Sequence, residues 1–127
     1  MKEQFIYMCT VQNKHTKELS VKVGYTSNIL QRMKQLERSN IHYEYSGFRL
    51  FEHKSKIIGY LFDEQRIHVR NRKYLAGISR EAMPVGYTEC YEWGYQYELI
   101  SQLTYLGYIC VYDESTYQPP QTPMFQW

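Results

Sequence analysis

Residues 5 to 26 constrain the chain most: FIYMCTV is β-branched and aromatic, QNKHTKE is polar turn material, and LSVKVGY alternates apolar and polar side chains with a period of two. Two such runs around a short polar link predict an antiparallel hairpin. The hairpin is followed at once by a helix. Ser27 or Asn28 supplies its cap, and Ile29, Met33 and Leu36 recur at helical spacing, with Leu30 widening the stripe toward an end near Ser39 and Asn40.

Beyond that unit, YEYSGFRLFE (residues 43–52) predicts a third strand, and residues 54 to about 74 predict the longest helix, with Ile57, Ile58, Leu61, Phe62, Gln65 and Val69 toward the core. Gly59 inside it costs about 1 kcal/mol relative to alanine, so packing has to hold that helix. AGISREAMPVG is a loop, YTECYEW a short strand, YQYELISQLTYLG a third helix ending at Gly107, and YICVYD a last strand. The order ββαβα then βαβ predicts a small mixed α/β domain with helices flanking a mainly antiparallel sheet. A length of 127 residues suits one such domain, over 1–113. The proline-punctuated stretch ESTYQPPQTPMFQW (114–127) reads as an extended or mobile tail, with Phe125 and Trp127 unusual for a purely solvated one.

A net charge of +2 gives no whole-molecule field for nucleic acid, so local clustering has to decide. RIHVRNRK (residues 66–73) is the densest cationic stretch, and Arg66, Arg70, Arg72 and Lys73 within it form either a solvated helix face or a phosphate track. Cys9, Cys90 and Cys110 form an odd count without any Cys-x-x-Cys or Cys/His ligand spacing, which argues against both a disulfide scaffold and a zinc site. MKEQFIYMCTV has no long apolar run, so neither a signal peptide nor a membrane span is expected, and a cytosolic protein is. The 14 tyrosines bring hydroxyl groups wherever their rings are buried.

Three sets of residues carry chemical potential. Arg32 falls roughly 80 to 100 degrees from the centre of the first helix's apolar stripe, on the rim; it is either a snorkelling surface arginine, the commoner case, or a guanidinium fork on a packed stem that reaches a phosphate. Glu64 and His68 lie one turn apart on the flank of the long helix; they form an ordinary i,i+4 pair or a hard-oxygen ligand for Mg²⁺ or Mn²⁺ beside a proton-transfer group. Tyr7 and Lys22 lie in paired strands, where a cation beside a phenol favours phenolate, although most tyrosines in apolar strands are core residues.

Taken together, the order of IY, KVGYTSN, Arg32, Glu64 with His68, and GYTECYEW resembles the GIY-YIG nuclease superfamily, in its compact phage-associated branch. The likeness covers about residues 5 to 93 and is strongest over 22 to 36. It implies a divalent-metal-dependent DNA endonuclease using Mg²⁺ or Mn²⁺. In it Tyr7 is general base or positions the water, Lys22 assists that phenol, Gly24 allows close approach of backbone and helix, Arg32 contacts the scissile phosphate, Glu64 binds the metal, and His68 contacts phosphate or water. Arg66, Arg70, Arg72 and Lys73 would track flanking DNA. Phe5 and Ile6 stand where the first motif has its glycine, the late asparagine of many members has no counterpart, and Glu89 belongs to the branch's Thr-Glu-x-aromatic pattern with a structural role open. A single site implies nicking by a monomer; a homodimer or a protein partner held through the tail would extend it. Phage or mobile-element origin would place it in host cytoplasm. The alternative is a catalytically inactive module of the same fold that binds nucleic acid or a host protein.

Overall fold

Pairing of β1 (Phe5–Asn13) with β2 (Leu19–Thr26) realises the hairpin, with Tyr7 opposite Gly24 and Cys9 opposite Lys22. The computed structural model describes residues 4–116, so the aromatic residues Phe125 and Trp127 of the expected tail lie outside the described residues. Asn28 caps α1 (Ile29–Ser39) by accepting a hydrogen bond from the Gln31 amide, and then β3 (Tyr43–His53), α2 (Tyr60–Arg70), β4 (Cys90–Glu92), α3 (Gln96–Tyr105) and β5 (Tyr108–Asp113) follow. The five strands form one antiparallel sheet in the order β4, β2, β1, β3, β5, so the chain has the expected mixed α/β fold.

Because side chains alternate across a strand, the sheet divides its residues between two layers. Ile6, Met8, Val21 and Val23 pack with Tyr60 and Ile67 of α2 and Leu99 and Leu103 of α3. Tyr7, Cys9 and Val11 face the other way, toward Leu36 of α1, with Ile29, Met33 and the 76–85 loop around them. Helices therefore cover both faces. Among the described residues no helix is long and apolar enough to cross a membrane.

The long helix departs from its expected bounds and face. It begins only after Gly59, whose φ of 88° is left-handed backbone that cannot continue a helix. Ile57, Ile58, Leu61, Phe62, Gln65 and Val69 are all exposed, and the buried face is Tyr60, Asp63, Glu64 and Ile67. Two carboxylates are tolerated there because both are partnered. Asp63 accepts a 2.7 Å hydrogen bond from the Tyr108 hydroxyl and pairs with Lys56, while Glu64 accepts from His68. On α1, Leu30 likewise turns to solvent instead of widening the stripe.

The expected strand over YTECYEW also shortens. Residues 87–89 form a turn of 3₁₀ helix after Gly86, at φ 87°, and only Cys90–Glu92 pair, with Ser20–Lys22 of β2. A Cβ on Gly86 would lie 2.7 Å from the Lys22 ammonium, so both its backbone and its lack of a side chain are required. The consequence is a notch. From Val23 to Thr26, β2 has no strand partner on its outer side among the described residues.

Candidate active site

Through that notch, groups from the two layers reach each other. Arg32 comes from α1 on one face, Glu64 and His68 from α2 on the other, and Thr88 and Glu89 from the turn before β4; with Tyr25 they line a cleft of about 500 Å³. Arg32 is partly exposed and makes no side-chain hydrogen bond or ion pair among the described residues. Its charge helps to keep the nearby Glu89 carboxylate ionised, yet among those residues no ion pair holds it in place. Such a group is available to an external anion.

His68 is held from both sides. Its Nε2 lies 2.8 Å from Glu64 Oε2 and 3.1 Å from the Val23 carbonyl oxygen, two acceptors, so Nε2 carries the proton and donates. Nδ1 then accepts from the Tyr91 hydroxyl at 2.6 Å, with the two rings within 2° of parallel. Burial, followed by the negative charge of Glu64, raises the Tyr91 pKa above the ordinary phenol value, so that hydroxyl keeps its proton for the bond. The imidazole thus fixes the rotamer of a 4 % exposed carboxylate.

Glu89 is the residue that sequence reasoning left without a role. Its carboxylate is ion-paired to Lys22, which is 1 % exposed and is the cation that the strand alternation buries beside Tyr7. Burial opposes the charge on both members of the pair. Their attraction prevails, holding Glu89 below the ordinary carboxylate range, while Tyr7 and Glu89 together lift Lys22 above the ordinary lysine value. The only sequence signal for Glu89 was the Thr-Glu-x-aromatic pattern. Its partner stands 67 positions away in the chain, beyond the reach of any local spacing.

Glu64, His68 and Glu89 each offer a ligand atom, all within 4.8 Å of one another. With both imidazole nitrogens engaged, the two carboxylates are the groups left to hold a hard cation such as Mg²⁺ or Mn²⁺, and His68 orients one of them.

Tyr7 lies behind this cleft and does not line it. It is fully buried, its hydroxyl is the one buried side-chain polar atom without a hydrogen-bond partner among the described residues, and its ring packs directly over Gly24. Lys22 lies 5.9 Å from the ring centroid and pulls the phenol's pKa down, but burial outweighs it and pushes the value up to about 12. Neighbouring cations do not make this tyrosine a ready base. The close approach that Gly24 permits is therefore to a ring of the neighbouring strand: a Cβ at position 24 would meet the Tyr7 ring at 2.4 Å. Gly24→Ala is expected to destabilise the fold by about 2 kcal/mol. Thermal unfolding measures this, and adding Tyr7→Leu, whose acyclic side chain is smaller than the phenol, is expected to recover part of the loss.

The cationic stretch does not join the cleft. Arg66 and Arg70 point into a separate groove between α2 and α3, and Arg72 and Lys73 are exposed on the turn that follows. Arg66 also faces Asp63 at 3.7 Å. In comparisons with known proteins, the profile described as T5orf172 domain matches residues 4–96. No curated protein and no solved structure matches the chain.

Proposed function

The chain belongs to the T5orf172 domain family, a phage-associated class of nuclease-like or DNA-binding modules, and we propose that it is a GIY-YIG-type endonuclease that hydrolyses a DNA phosphodiester with a divalent metal. The observation that carries the proposal is the convergence of Arg32, Glu64, His68 and Glu89 on one cleft from three separate segments. Mg²⁺ or Mn²⁺ held by Glu64 and Glu89, with His68 beside them, supplies Lewis-acid stabilisation of phosphate charge when bound.

The protein's own groups do the rest. Arg32, with no side-chain hydrogen bond or ion pair among the described residues, binds the nonbridging oxygens and stabilises the charge added in the pentacoordinate state. Glu89 keeps its carboxylate ionised at neutral pH through Lys22 and so remains available beside Glu64 as a ligand; the attacking water gives its proton to solvent as the new P–O bond forms, and the departing 3′ oxygen takes one from solvent as its bond to phosphorus breaks. His68 is a positioning residue that locks Glu64. Tyr7, sealed beneath Gly24, sets the wall that carries Lys22 and does not act as base in this arrangement. Arg66, Arg70, Arg72 and Lys73 add salt-sensitive contacts to flanking backbone. One such site nicks, and a double-strand break requires a second subunit or a second visit.

Relaxation of supercoiled plasmid with Mg²⁺ or Mn²⁺ tests the proposal. Wild type is expected to nick and Glu64→Gln, which keeps the volume and the hydrogen bond to His68, is expected to bind DNA without nicking. The sealed Tyr7 hydroxyl favours one other reading, a catalytically silent DNA-binding module. Wild type that retains plasmid but leaves it supercoiled would establish that reading instead.

A further inference from the structure

We infer that the groove between α2 and α3 holds an unpaired DNA strand leaving the cleft, so that the favoured substrate is a duplex bearing a single-stranded extension beside the cut. This rests on the nuclease reading above and names its substrate class. The groove encloses about 740 Å³ between Phe62, Arg66 and Arg70 of α2 and Ser101, Gln102 and Tyr105 of α3. It adjoins the cleft directly: Gln65 and Val69 line both. A strand crossing that ridge passes from the Glu64 face of α2 to its arginine face within one helix width.

The groove's chemistry matches such a strand. Phe62 is 66 % exposed and Tyr105 is 87 % exposed, two large rings left in solvent on facing helices. Arg66 lies 5.9 Å over the Phe62 ring, so a cation and a stacking surface come as a unit. Arg70 adds a second guanidinium. The single acid of the lining, Glu98, accepts a hydrogen bond from Gln102 at 3.2 Å. Rings that stack on bases, interleaved with cations for phosphates, are the means by which single strands are held without sequence preference. A duplex keeps its base faces within its own stack and offers the rings nothing.

The test is fluorescence anisotropy in EDTA, with the wild-type chain and a labelled blunt duplex compared with the same duplex carrying a tail of roughly ten thymidines. The tailed duplex is expected to bind roughly tenfold more tightly. Phe62→Ala and Tyr105→Ala are each expected to erase most of that difference while leaving affinity for the blunt duplex unchanged. Tyr97→Ala, an exposed ring on α3 outside the groove, is expected to leave the tail preference intact. These side chains are exposed, so folding is unaffected, which circular dichroism verifies. Equal affinity of wild type for the two DNAs, a tail preference that survives the Phe62 and Tyr105 substitutions together, or displacement of the tail by polyglutamate and not by oligothymidine would each overturn the inference. Plasmid nicking is read separately. A tail preference without nicking leaves the groove standing and removes the enzyme; nicking without a tail preference does the reverse.

Discussion

Glu89→Ala unfolds more easily than the wild-type chain by about 3 kcal/mol, because it strands a lysine that is 1 % exposed without its counterion. The expected size is at the low end for a broken buried pair, since the vacated carboxylate volume admits water to the ammonium. Calorimetry or thermal circular dichroism would register this as a drop in Tm of roughly 10 °C for a domain of this size. Removing the other member is milder. Lys22→Met fills the buried position with an apolar chain of similar length and leaves Glu89 at an edge where water already reaches it, so about 1 kcal/mol is expected. The order of the two substitutions checks the assignment: Lys22→Met being the more damaging would mean that the ammonium is not the sequestered partner. The pH dependence follows from the lowered Glu89 pKa. A carboxyl with a depressed folded value contributes stability above its ordinary value of 4.5, and this is lost as pH falls through the folded value. Wild type and Glu89→Ala should therefore converge in acid.

Arg32→Ala slows nicking by about 10² to 10³ in kcat, the usual consequence of removing one preorganised donor from developing charge. The same substitution leaves stability nearly unchanged, because the guanidinium has no internal hydrogen bond or ion pair among the described residues. Affinity for plasmid falls by no more than the few-fold expected of one phosphate contact, since its interaction grows as the phosphate gains charge. Arg32→Lys keeps the charge but not the planar fork, and should recover part of the rate. A loss confined to binding, with single-turnover nicking unchanged, would move Arg32 from the reaction to simple docking.

The order of elements was legible because period-two and period-3.6 patterns speak for themselves: FIYMCTV with LSVKVGY, and Ile29 with Met33 and Leu36. The face of α2 was not. Counting apolar residues selects Ile57, Ile58, Leu61, Phe62 and Val69, whereas Tyr60, Asp63, Glu64 and Ile67 are buried. What reverses the choice is the partners of the acids, Tyr108 for Asp63 at a separation of 45 residues and the His68 clamp for Glu64. Local hydrophobicity contains no information about a hydroxyl so far along the chain. The same holds at the site. Arg32, Glu64 and His68 carry spacing signals, but Glu89 gains its place only because the turn over 87–89 delays the start of β4 to Cys90. The pull on Tyr7 was anticipated correctly in sign for Lys22 and misjudged in sum, because depth of burial is a property of the folded layer and not of a neighbouring residue type.

The brevity of β4 also bears on how this protein avoids sticking to itself. A bare stretch of strand edge is a template on which a foreign strand can add, and proteins blunt such edges with charge or by covering them. Here the outer edge of β2 past Lys22 is guarded by the clamp around Glu64: the Val23 carbonyl, an acceptor an intruding strand would use, is already engaged by His68. The histidine is thus a gatekeeper against intermolecular pairing, and a chain that loses it exposes an adhesive rim at the place where DNA is proposed to enter.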